Sequence, residues 1–417
     1  MSAARSAAKT FGVSLGLLRT KRFGTFWFAS LLSNIGTWAQ QVAQPWLLLS
    51  LGASSFLVGL DAFAMDAPVW GLTLVGGMLA DRNDRRRIIF WCQSVQMLCP
   101  TLLVVLLLTH RVTPWAIIAC SLVVGVTDAL SMPSFGSIVP SIVEKDQIGT
   151  GIALNSAQFN LSRILGPSLA GVLMSSVGAV ACFGASAISY VPFILVAWLV
   201  LPRRSRANTA TPELPRPKLT AGLSTVLKDR RLRGALLTVL TTGTLCGPLI
   251  TFCPVLVRDE FHGDATLFSV ALMAFGVGGL LGATSLLAIE GRYERRKLSS
   301  RFAVGYAVVV LLAGLNPWLW ALPVLMVLAG IAMSISNTQA NSLLQSEAGA
   351  WRGQAASLFM LCMRGGMSLG SLVTGLSASG FGVRTALMIN GALAVGLHLL
   401  VGRAWARNAA APAPAAV

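Results

Sequence analysis

The stretch that decides the fold is GGMLADRNDRRR, which runs from Gly76 to Arg87. It ends one long apolar run and opens another, and a run of about 20 apolar residues is long enough to cross a bilayer as a helix. We therefore predict a tight turn between two membrane-spanning helices. Gly77 is expected to permit close helix approach, and Asp81 is expected to lie where a helix leaves the bilayer. Four arginines should hold the turn on the cytoplasmic face: Arg82, Arg85, Arg86 and Arg87.

This turn resembles the loop between the second and third helices of the major facilitator superfamily, whose pattern is approximately G-x-L-A-D-R-x-x-R-R. Gly77, Leu79 and Asp81 stand in register with that pattern. The resemblance implies that Asp81 latches onto the start of the eleventh helix, near Gly353 and Gln354, when the cytoplasmic side closes. It also implies a cytoplasmic gate made of the motif residues: Gly77, Asp81, Arg82, Arg85 and Arg86.

The composition is that of an integral membrane protein. Of the 417 residues, 55% are hydrophobic and only 11% are charged, whereas soluble domains carry about 25% charged residues. The net charge of +17 follows from topology, because most Lys and Arg residues fall in loops on one side. We therefore expect a multi-pass protein of the bacterial inner membrane with both termini in the cytoplasm, and no nucleic-acid partner.

Polar links divide the apolar sequence into twelve predicted spans, in two pseudo-symmetric six-helix bundles. The spans are 23–51, 55–80, 86–109, 113–136, 148–175, 179–201, 233–257, 265–289, 298–315, 317–345, 352–378 and 382–403. The predicted domains are a cytoplasmic N-terminal segment (1–22), an N-terminal bundle (23–201), a cytoplasmic central loop (202–232), a C-terminal bundle (233–403) and a disordered cytoplasmic tail (404–417). An even number of spans agrees with termini on the same side.

The two halves are predicted to be copies of one six-helix unit. Residues 288–296 repeat residues 79–87 at an offset of 209, and the segment 370–375 parallels 166–171 at an offset of 204. Transporters are commonly built from such repeats, with the substrate site between them. The second copy of the turn is degenerate, since Leu286 and Gly291 stand where the first has Gly77 and Arg82. The first copy is therefore expected to be the functional one.

The sequence offers no catalytic constellation, cofactor motif or metal site, so we do not expect an enzyme. It pairs neither Ser nor Cys with a nearby His, and it has no nucleotide-binding loop. The seven cysteines are scattered singly through apolar runs, as expected for small buried hydrophobes. Energy for transport must then come from an ion gradient or from the gradient of the substrate itself.

Ionisable residues inside the spans are costly, so each is a candidate for function. Asp66 lies about halfway along the second span, where burial disfavours the charged form of a carboxylate. It is either a proton carrier or a group held permanently by an arginine or by backbone groups freed near Pro68. Asp61 is expected nearer the outer surface in a solvated position. Asp128 and Arg163 lie on adjacent spans and are predicted to pair, as a gate or as a static ion pair. Arg364 either binds an anionic substrate or reaches the cytoplasmic surface.

A segment of the fifth span points to export. Gly166, Pro167 and Gly171 resemble the helix 5 motif of the superfamily's antiporters, approximately G-x-x-x-G-P-x-x-G-G, although Ser162 and Ala170 replace two of its glycines. The stretch that contains them, residues 132–171, together with the first turn, resembles the bacterial efflux branch that includes the enterobactin exporter. Pro167 frees a backbone carbonyl, and the small residues allow close packing.

Polar residues at helical spacing in the first and tenth spans are expected to line the substrate cavity, with hydrogen bonding between helices as the alternative. The candidates are Thr37, Trp38, Gln41, Gln44, Asn337 and Asn341. Such a lining suits a medium-sized amphipathic solute.

The sequence as a whole therefore predicts a monomer in the lipid bilayer that exports a siderophore or drug in exchange for protons. The rivals are an uptake carrier or lysolipid flippase of the same fold, and a membrane sensor or assembly partner that does not transport.

Overall fold

The computed structural model describes residues 16–202, 229–289 and 293–410, and the regular structure in those ranges is entirely helical. The α-helices are α1 (Lys21–Ser50), α2 (Ser55–Asp66), α3 (Val69–Arg82), α4 (Arg85–Leu108), α5 (Pro114–Gly136), α6 (Ile138–Ile142), α7 (Ile148–Ser176), α8 (Ala179–Leu199), α9 (Arg230–Thr241), α10 (Pro248–Val255), α11 (Ala265–Ile289), α12 (Arg295–Leu315), α13 (Ala321–Glu347), α14 (Arg352–Met360), α15 (Gly366–Phe381) and α16 (Val383–Ala410). Short π-helical turns join α9 to α10 (Thr242–Cys246), follow α10 (Leu256–Glu260) and join α14 to α15 (Leu361–Gly365).

Ten helical segments of the described residues are long and apolar enough to cross a membrane. They correspond to ten of the twelve predicted spans. The other two predicted spans are α1 and α7, which have 30 and 29 residues but carry many Ser, Asn and Gln side chains that lower their mean hydropathy. The count of twelve therefore stays a prediction for these two helices.

By its contacts the chain splits into two compact units. Unit 1 comprises Met1–Leu51, Pro68–Thr209 and Ala265–Met273, and unit 2 comprises Gly52–Ala67, Ala210–Asp264 and Ala274–Val417. Each unit thus takes one short segment from the other half of the sequence, namely α2 in unit 2 and the start of α11 in unit 1. The predicted central loop at 202–232, most of the segment 1–22 and the end of the tail lie outside the described residues, so these domain predictions stay predictions. The disordered tail predicted from residue 404 is wrong for residues 404–410, which continue α16, because the Trp405 ring is buried against Gly234 of α9.

The helices within each unit have corresponding neighbours. In unit 1, α8 packs against α1 and α4, and α4 also packs against α5. In unit 2, α16 packs against α9 and α12, and α12 also packs against α13. These are the contacts expected if α9, α12, α13 and α16 repeat α1, α4, α5 and α8. The packing therefore supports duplication of a six-helix unit.

Two tight turns repeat at the same offset. Gly178 precedes α8 with a φ of 91°, and Gly382 precedes α16 with a φ of 83°. A positive φ strains most L-residues but not glycine. The two glycines are 204 residues apart, which is also the offset between the segments beginning at Gly166 and Gly370.

Acidic residues stand at the start of three helices that open with basic residues. Asp84 caps α4 by accepting a hydrogen bond from the backbone N–H of Arg86 (3.1 Å), and Asp229 caps α9 in the same way. Glu294 precedes α12, but its carboxylate instead binds the side chain of Arg296, with Nε 2.7 Å from Oε1. A negative charge at a helix N-terminus is favourable because it faces the positive end of the helix dipole. Asp84 and Glu294 hold equivalent positions before the first residue of their helices. They are 210 residues apart, one more than the offset of 209 predicted from the sequence.

Candidate functional site

The helices α2 and α15 pack closely in unit 2 because small residues meet along their contact. A Cβ atom added to Gly59 would lie 2.5 Å from the carbonyl oxygen of Ser371, and one added to Gly375 would lie 3.0 Å from that of Ser55. The Oγ of Ser368 lies 3.4 Å from the carbonyl oxygen of Phe63. Contacts of this kind let helix backbones approach each other inside a membrane.

At the end of α2 this contact contains an ion pair between Asp66 and Arg364. The Nε atom of Arg364 donates to Oδ1 of Asp66 at 2.8 Å, and Nη2 lies 2.7 Å from the same oxygen. The two side chains are only 19% and 20% exposed, respectively. Because opposite charges attract strongly where water is scarce, the pair holds this end of α2 beside the start of α15.

Both partners lie where the helical geometry is interrupted. Asp66 is the last residue of α2, and the break before α3 contains Pro68, which lacks the N–H needed to continue the helical hydrogen bonds. Arg364 lies in the π-helical turn Leu361–Gly365, and such turns occur frequently at functional sites. Gly243 of the neighbouring π-helical turn packs onto this backbone, since a Cβ there would lie 2.8 Å from the carbonyl oxygen of Met363.

The sequence singled out both residues but did not predict that they pair. Asp66 was expected to be a proton carrier or a carboxylate held by an arginine, and the pair is compatible with both roles. The snorkelling position suggested for Arg364 is wrong, because its guanidinium turns to Asp66. The solvated position expected for Asp61 is also wrong, since this residue is only 7% exposed. The burial of Asp61 depends on tertiary packing, which sequence periodicity does not reveal.

Arg163 lies beside aromatic rings in unit 1. Its guanidinium carbon is 5.4 Å from the centre of the Trp38 ring, which gives a cation–π contact between α7 and α1. Phe159, 46% exposed, meets the same indole edge to face at 6.0 Å. The predicted pairing of Arg163 with Asp128 stays a prediction.

The polar residues of α1 divide between two faces of the helix. On one face, Gln44 donates a hydrogen bond to Ser121 of α5 at 2.6 Å and accepts one from Gln40 at 3.2 Å. The Oε1 atom of Gln40 accepts a hydrogen bond from Ser186 of α8. Thr37 lies 3.3 Å from the hydroxyl of Tyr190, also in α8. For Gln44 and Thr37 the structure thus favours the alternative of hydrogen bonding between helices. Trp38 and Gln41 lie on the other face and are partly exposed.

The two candidates on α13 differ in their hydrogen bonding. The Oδ1 atom of Asn337 is buried and has no hydrogen-bond partner among the described residues. The Oδ1 atom of Asn341 accepts a hydrogen bond from Gln345 at 3.0 Å. A buried acceptor without a partner is unfavourable, so Asn337 is the residue of this pair that is better prepared to bind a solute.

Just before the turn between α3 and α4, the glycine that permits close packing is Gly76. A Cβ on Gly76 would lie 2.6 Å from the carbonyl oxygen of Leu130 in α5, whereas Gly77 has no atom within 4 Å of that position. The expectation for Gly77 was therefore wrong. Successive residues of a helix point about 100° apart, so only one of two adjacent glycines can face a given neighbour.

The arginines of this turn lie in different environments. Arg82 and Arg85 are exposed, whereas Arg86 is buried with its guanidinium carbon 4.8 Å from the centre of the Trp198 ring at the end of α8. Arg86 therefore joins α4 to α8. The side chain of Asp81 lies outside the described part of the structure, so its predicted latch stays a prediction.

The segment that resembles the antiporter motif makes two close contacts. Gly166 packs against Cβ of Trp38 in α1, and Gly171 packs against Ser269 of α11, where an added Cβ would lie 3.1 Å away. Between them, Pro167 occupies a buried position in α7 and leaves the carbonyl of Arg163 without its helical N–H partner.

The second half repeats these two contacts. Gly370 packs against the carbonyl oxygen of Thr244, in the span that repeats α1, and Gly375 packs against α2. The first and last glycines of the two segments thus have corresponding partners. The parallel seen in the sequence therefore reflects duplicated helix packing.

A family model described as "Transmembrane secretion effector" matches residues 13–413 of the chain. This protein belongs to that family. The resemblance of the sequence to efflux transporters of the major facilitator superfamily is thereby confirmed.

Relatives that match this chain over most of its length are transporters. It is 26% identical to the staphyloferrin A transporter of Staphylococcus aureus over 88% of this chain and 92% of the relative. It is 22% identical to macrolide efflux protein A of Streptococcus pyogenes, with 90% and 93% covered, and 25% identical to the multidrug efflux pump Tap of Mycolicibacterium fortuitum, with 73% and 75% covered.

Solved structures agree on the fold. The nucleoside transporter NupG superposes with a TM-score of 0.72 at 14% identity, covering 92% of this chain and 99% of that one. A bacterial homologue of the human lysosomal transporter Spinster gives a TM-score of 0.68 at 16% identity, covering 95% and 99%. This chain thus has the fold of these membrane transporters.

Proposed function

We propose that this protein is a secondary active transporter that exports a small amphipathic organic molecule, a siderophore or a drug, by proton-coupled alternating access. Its family and its relatives, which are named as siderophore and drug transporters, support the transporter class. The observation that carries proton coupling is the ion pair between Asp66 and Arg364, in a contact otherwise made of small residues.

In this proposal a proton controls whether α2 and α15 can separate. Removing one partner from a buried ion pair costs about 3–5 kcal/mol, because the other charge is left without compensation. A proton that binds Asp66 removes its charge, and the neutral carboxyl no longer requires the guanidinium. Arg364 then turns to water or to an acidic group of the substrate, which lowers the barrier to opening.

Other residues are proposed to contact the substrate. The buried Oδ1 atom of Asn337 offers a hydrogen-bond acceptor without a partner, and the rings of Trp38 and Phe159 offer apolar surface beside the Arg163 charge. Within unit 1, aromatic surface beside a positive charge suits an amphipathic solute. The Asp81 latch and an Asp128–Arg163 gate remain parts of the proposal, as do a monomer and a bacterial inner-membrane location with both termini in the cytoplasm.

Transport in proteoliposomes tests the proposal. Purified protein is reconstituted, a pH difference is imposed, and uptake into inside-out vesicles is followed for staphyloferrin A, a macrolide and cationic drugs. We expect substrate movement to follow the proton gradient in the wild type and to become insensitive to it in Asp66→Asn, while Asp61→Asn on the same helix keeps the response.

Other outcomes would contradict the proposal in distinct ways. If Asp61→Asn and not Asp66→Asn removes the pH response, the coupling carboxylate is misassigned. Accumulation in the opposite direction would favour an uptake carrier, and movement of lysolipid alone would favour a flippase. If no substrate moves and Asp66, Asp81 and Asp128 all tolerate neutral substitution in cells, a sensor or assembly partner is favoured.

A further inference from the structure

One end of unit 2 contains a groove between α9 and α16 that no step of transport uses. The groove has a volume of about 230 Å³, begins at Arg233 and continues along Leu237, Leu400 and Val401. Leu400 is 62% exposed and Leu237 is 41% exposed, so its walls are apolar and open to the surroundings. The shape is that of a channel with one charged end and one apolar end.

A second cavity of about 390 Å³ adjoins the same region, and its lining contains more basic than acidic residues. Its cationic lining residues are Arg231, Arg295 and Arg296, and its acidic ones are Glu294 and Glu347. Glu294 already binds Arg296 and Lys297, at 2.7 and 3.1 Å. Arg231 and Arg295, together with Arg233 in the groove, therefore leave an excess of positive charge at this end of the helices.

Trp405 forms part of the wall of both cavities. Its side chain is buried at 2% exposure and its ring covers Gly234, where an added Cβ would lie 2.6 Å from Cγ of the indole. The indole Nε1 atom is buried and has no hydrogen-bond partner among the described residues. Buried tryptophan N–H groups usually have an acceptor, so this donor points to a missing ligand.

We propose that this groove binds an anionic phospholipid. The phosphate would be held where the groove meets the second cavity at Trp405, between Arg233 of the groove and Arg231 of the second cavity, with the N–H of Trp405 as a further donor. An acyl chain would lie along Leu237 and Leu400. The topology proposed above places this end of the helices at the cytoplasmic leaflet, where anionic lipids meet basic pockets between helices. The groove opens beside the bilayer, so a lipid can enter it with its chain still in the membrane.

Native mass spectrometry of the full-length protein in detergent tests this site without any transport measurement. Phosphatidylglycerol and phosphatidylcholine with identical acyl chains are compared, and we expect the anionic lipid to be retained preferentially. A cation near a membrane surface contributes about 1 kcal/mol to anionic lipid binding, or about fivefold in affinity. Arg231→Gln together with Arg233→Gln should therefore weaken phosphatidylglycerol binding about 25-fold.

Two further variants separate the site from general charge and from folding. Arg403→Gln removes an exposed cation at the same end of α16, outside the groove lining, and should change binding less than about twofold. Trp405→Phe keeps the ring over Gly234 but removes the donor, and should weaken binding at unchanged thermal stability. Equal retention of the two lipids, or equal effects of Arg403→Gln and the Arg231/Arg233 double variant, would overturn the proposal. Displacement of the lipid by millimolar inorganic phosphate would overturn it in favour of a soluble-anion site.

Discussion

Neutralising either member of the Asp66–Arg364 pair should destabilise the protein, and neutralising both should cost less than the sum. Asp66→Asn keeps the shape of the side chain but leaves the guanidinium without its counter-charge. Arg364→Gln leaves the carboxylate in the same position. A double-mutant cycle of the two substitutions isolates their interaction from the other contacts that each side chain makes.

The structure sets the size of the effect. Nε and Nη2 of Arg364 both reach Oδ1 of Asp66, at 2.8 and 2.7 Å. Two charges about 4 Å apart attract by about 4 kcal/mol at an effective dielectric constant of about 20, and desolvation offsets part of that gain. Each side chain keeps about a fifth of its surface exposed, so we expect single losses of about 3 kcal/mol, at the lower end for buried pairs. The coupling energy should be about 1–3 kcal/mol.

Equilibrium unfolding of purified variants in mixed micelles, followed by tryptophan fluorescence, measures these energies. Asp61→Asn combined with Arg364→Gln serves as the matched control, since Asp61 lies on the same helix five residues before Asp66. The effects of these two substitutions should add within about 0.5 kcal/mol. A coupling energy near zero for Asp66 and Arg364 would refute the idea that the pair holds α2 beside α15. The same result would remove the energetic basis for control by a proton.

Three other predictions concern packing, hydrogen bonding and pH. Gly76→Ala should destabilise the protein by about 1–3 kcal/mol through a clash with the α5 backbone, whereas Gly77→Ala should be neutral or stabilising, and thermal unfolding compares them. Gln44→Leu removes hydrogen bonds to Gln40 and Ser121 and should cost about 1–3 kcal/mol while leaving the proton response of transport unchanged. The hydrogen bond from Arg296, aided by Lys297, holds the pKa of Glu294 below its usual value of 4.5. The ionised Glu294 carboxylate therefore stabilises the folded protein fully above that pH, and this stabilisation is lost as the pH falls through the lowered pKa. Because this side chain is 44% exposed, Glu294→Gln should cost less than about 1 kcal/mol at neutral pH, with the unfolding curves of the two proteins converging in acid.

The positions of the helices could be predicted from the sequence because apolar runs and polar turns are local signals. The predicted and observed ends agree closely for the ten segments that can cross a membrane. The break between α2 and α3 is also local, since Pro68 removes a backbone donor. The π-helical turns were not predicted, because Thr242–Cys246 and Leu361–Gly365 contain no residue that sets them apart from an ordinary helix.

The pairing of Asp66 with Arg364 could not be predicted from the sequence, for a different reason. The two residues are 298 positions apart, and periodicity within a helix does not indicate which distant helix it faces. A usable signal was nevertheless present, since an acid and a base inside otherwise neutral spans each need compensation. Local reasoning also misjudged the two glycines of the first turn, because the neighbouring helix, and not the motif, decides whether Gly76 or Gly77 is the contact.

Comparison of the two duplicated contacts indicates why only one of them should respond to protons. The contact between α7 and α11 in unit 1 and the contact between α15 and α2 in unit 2 are related by the repeat, and both are closed by glycine. At the offset that relates Gly166 to Gly370, the counterpart of Arg364 is Asn160, whose side chain donates to Ser156 of its own helix. The unit 1 contact can therefore part at that position without separating charges, whereas the unit 2 contact cannot unless Asp66 is neutralised. In the proposed mechanism, the ion pair is what makes the unit 2 contact sensitive to a proton, and the unit 1 contact has no counterpart of it at Asn160.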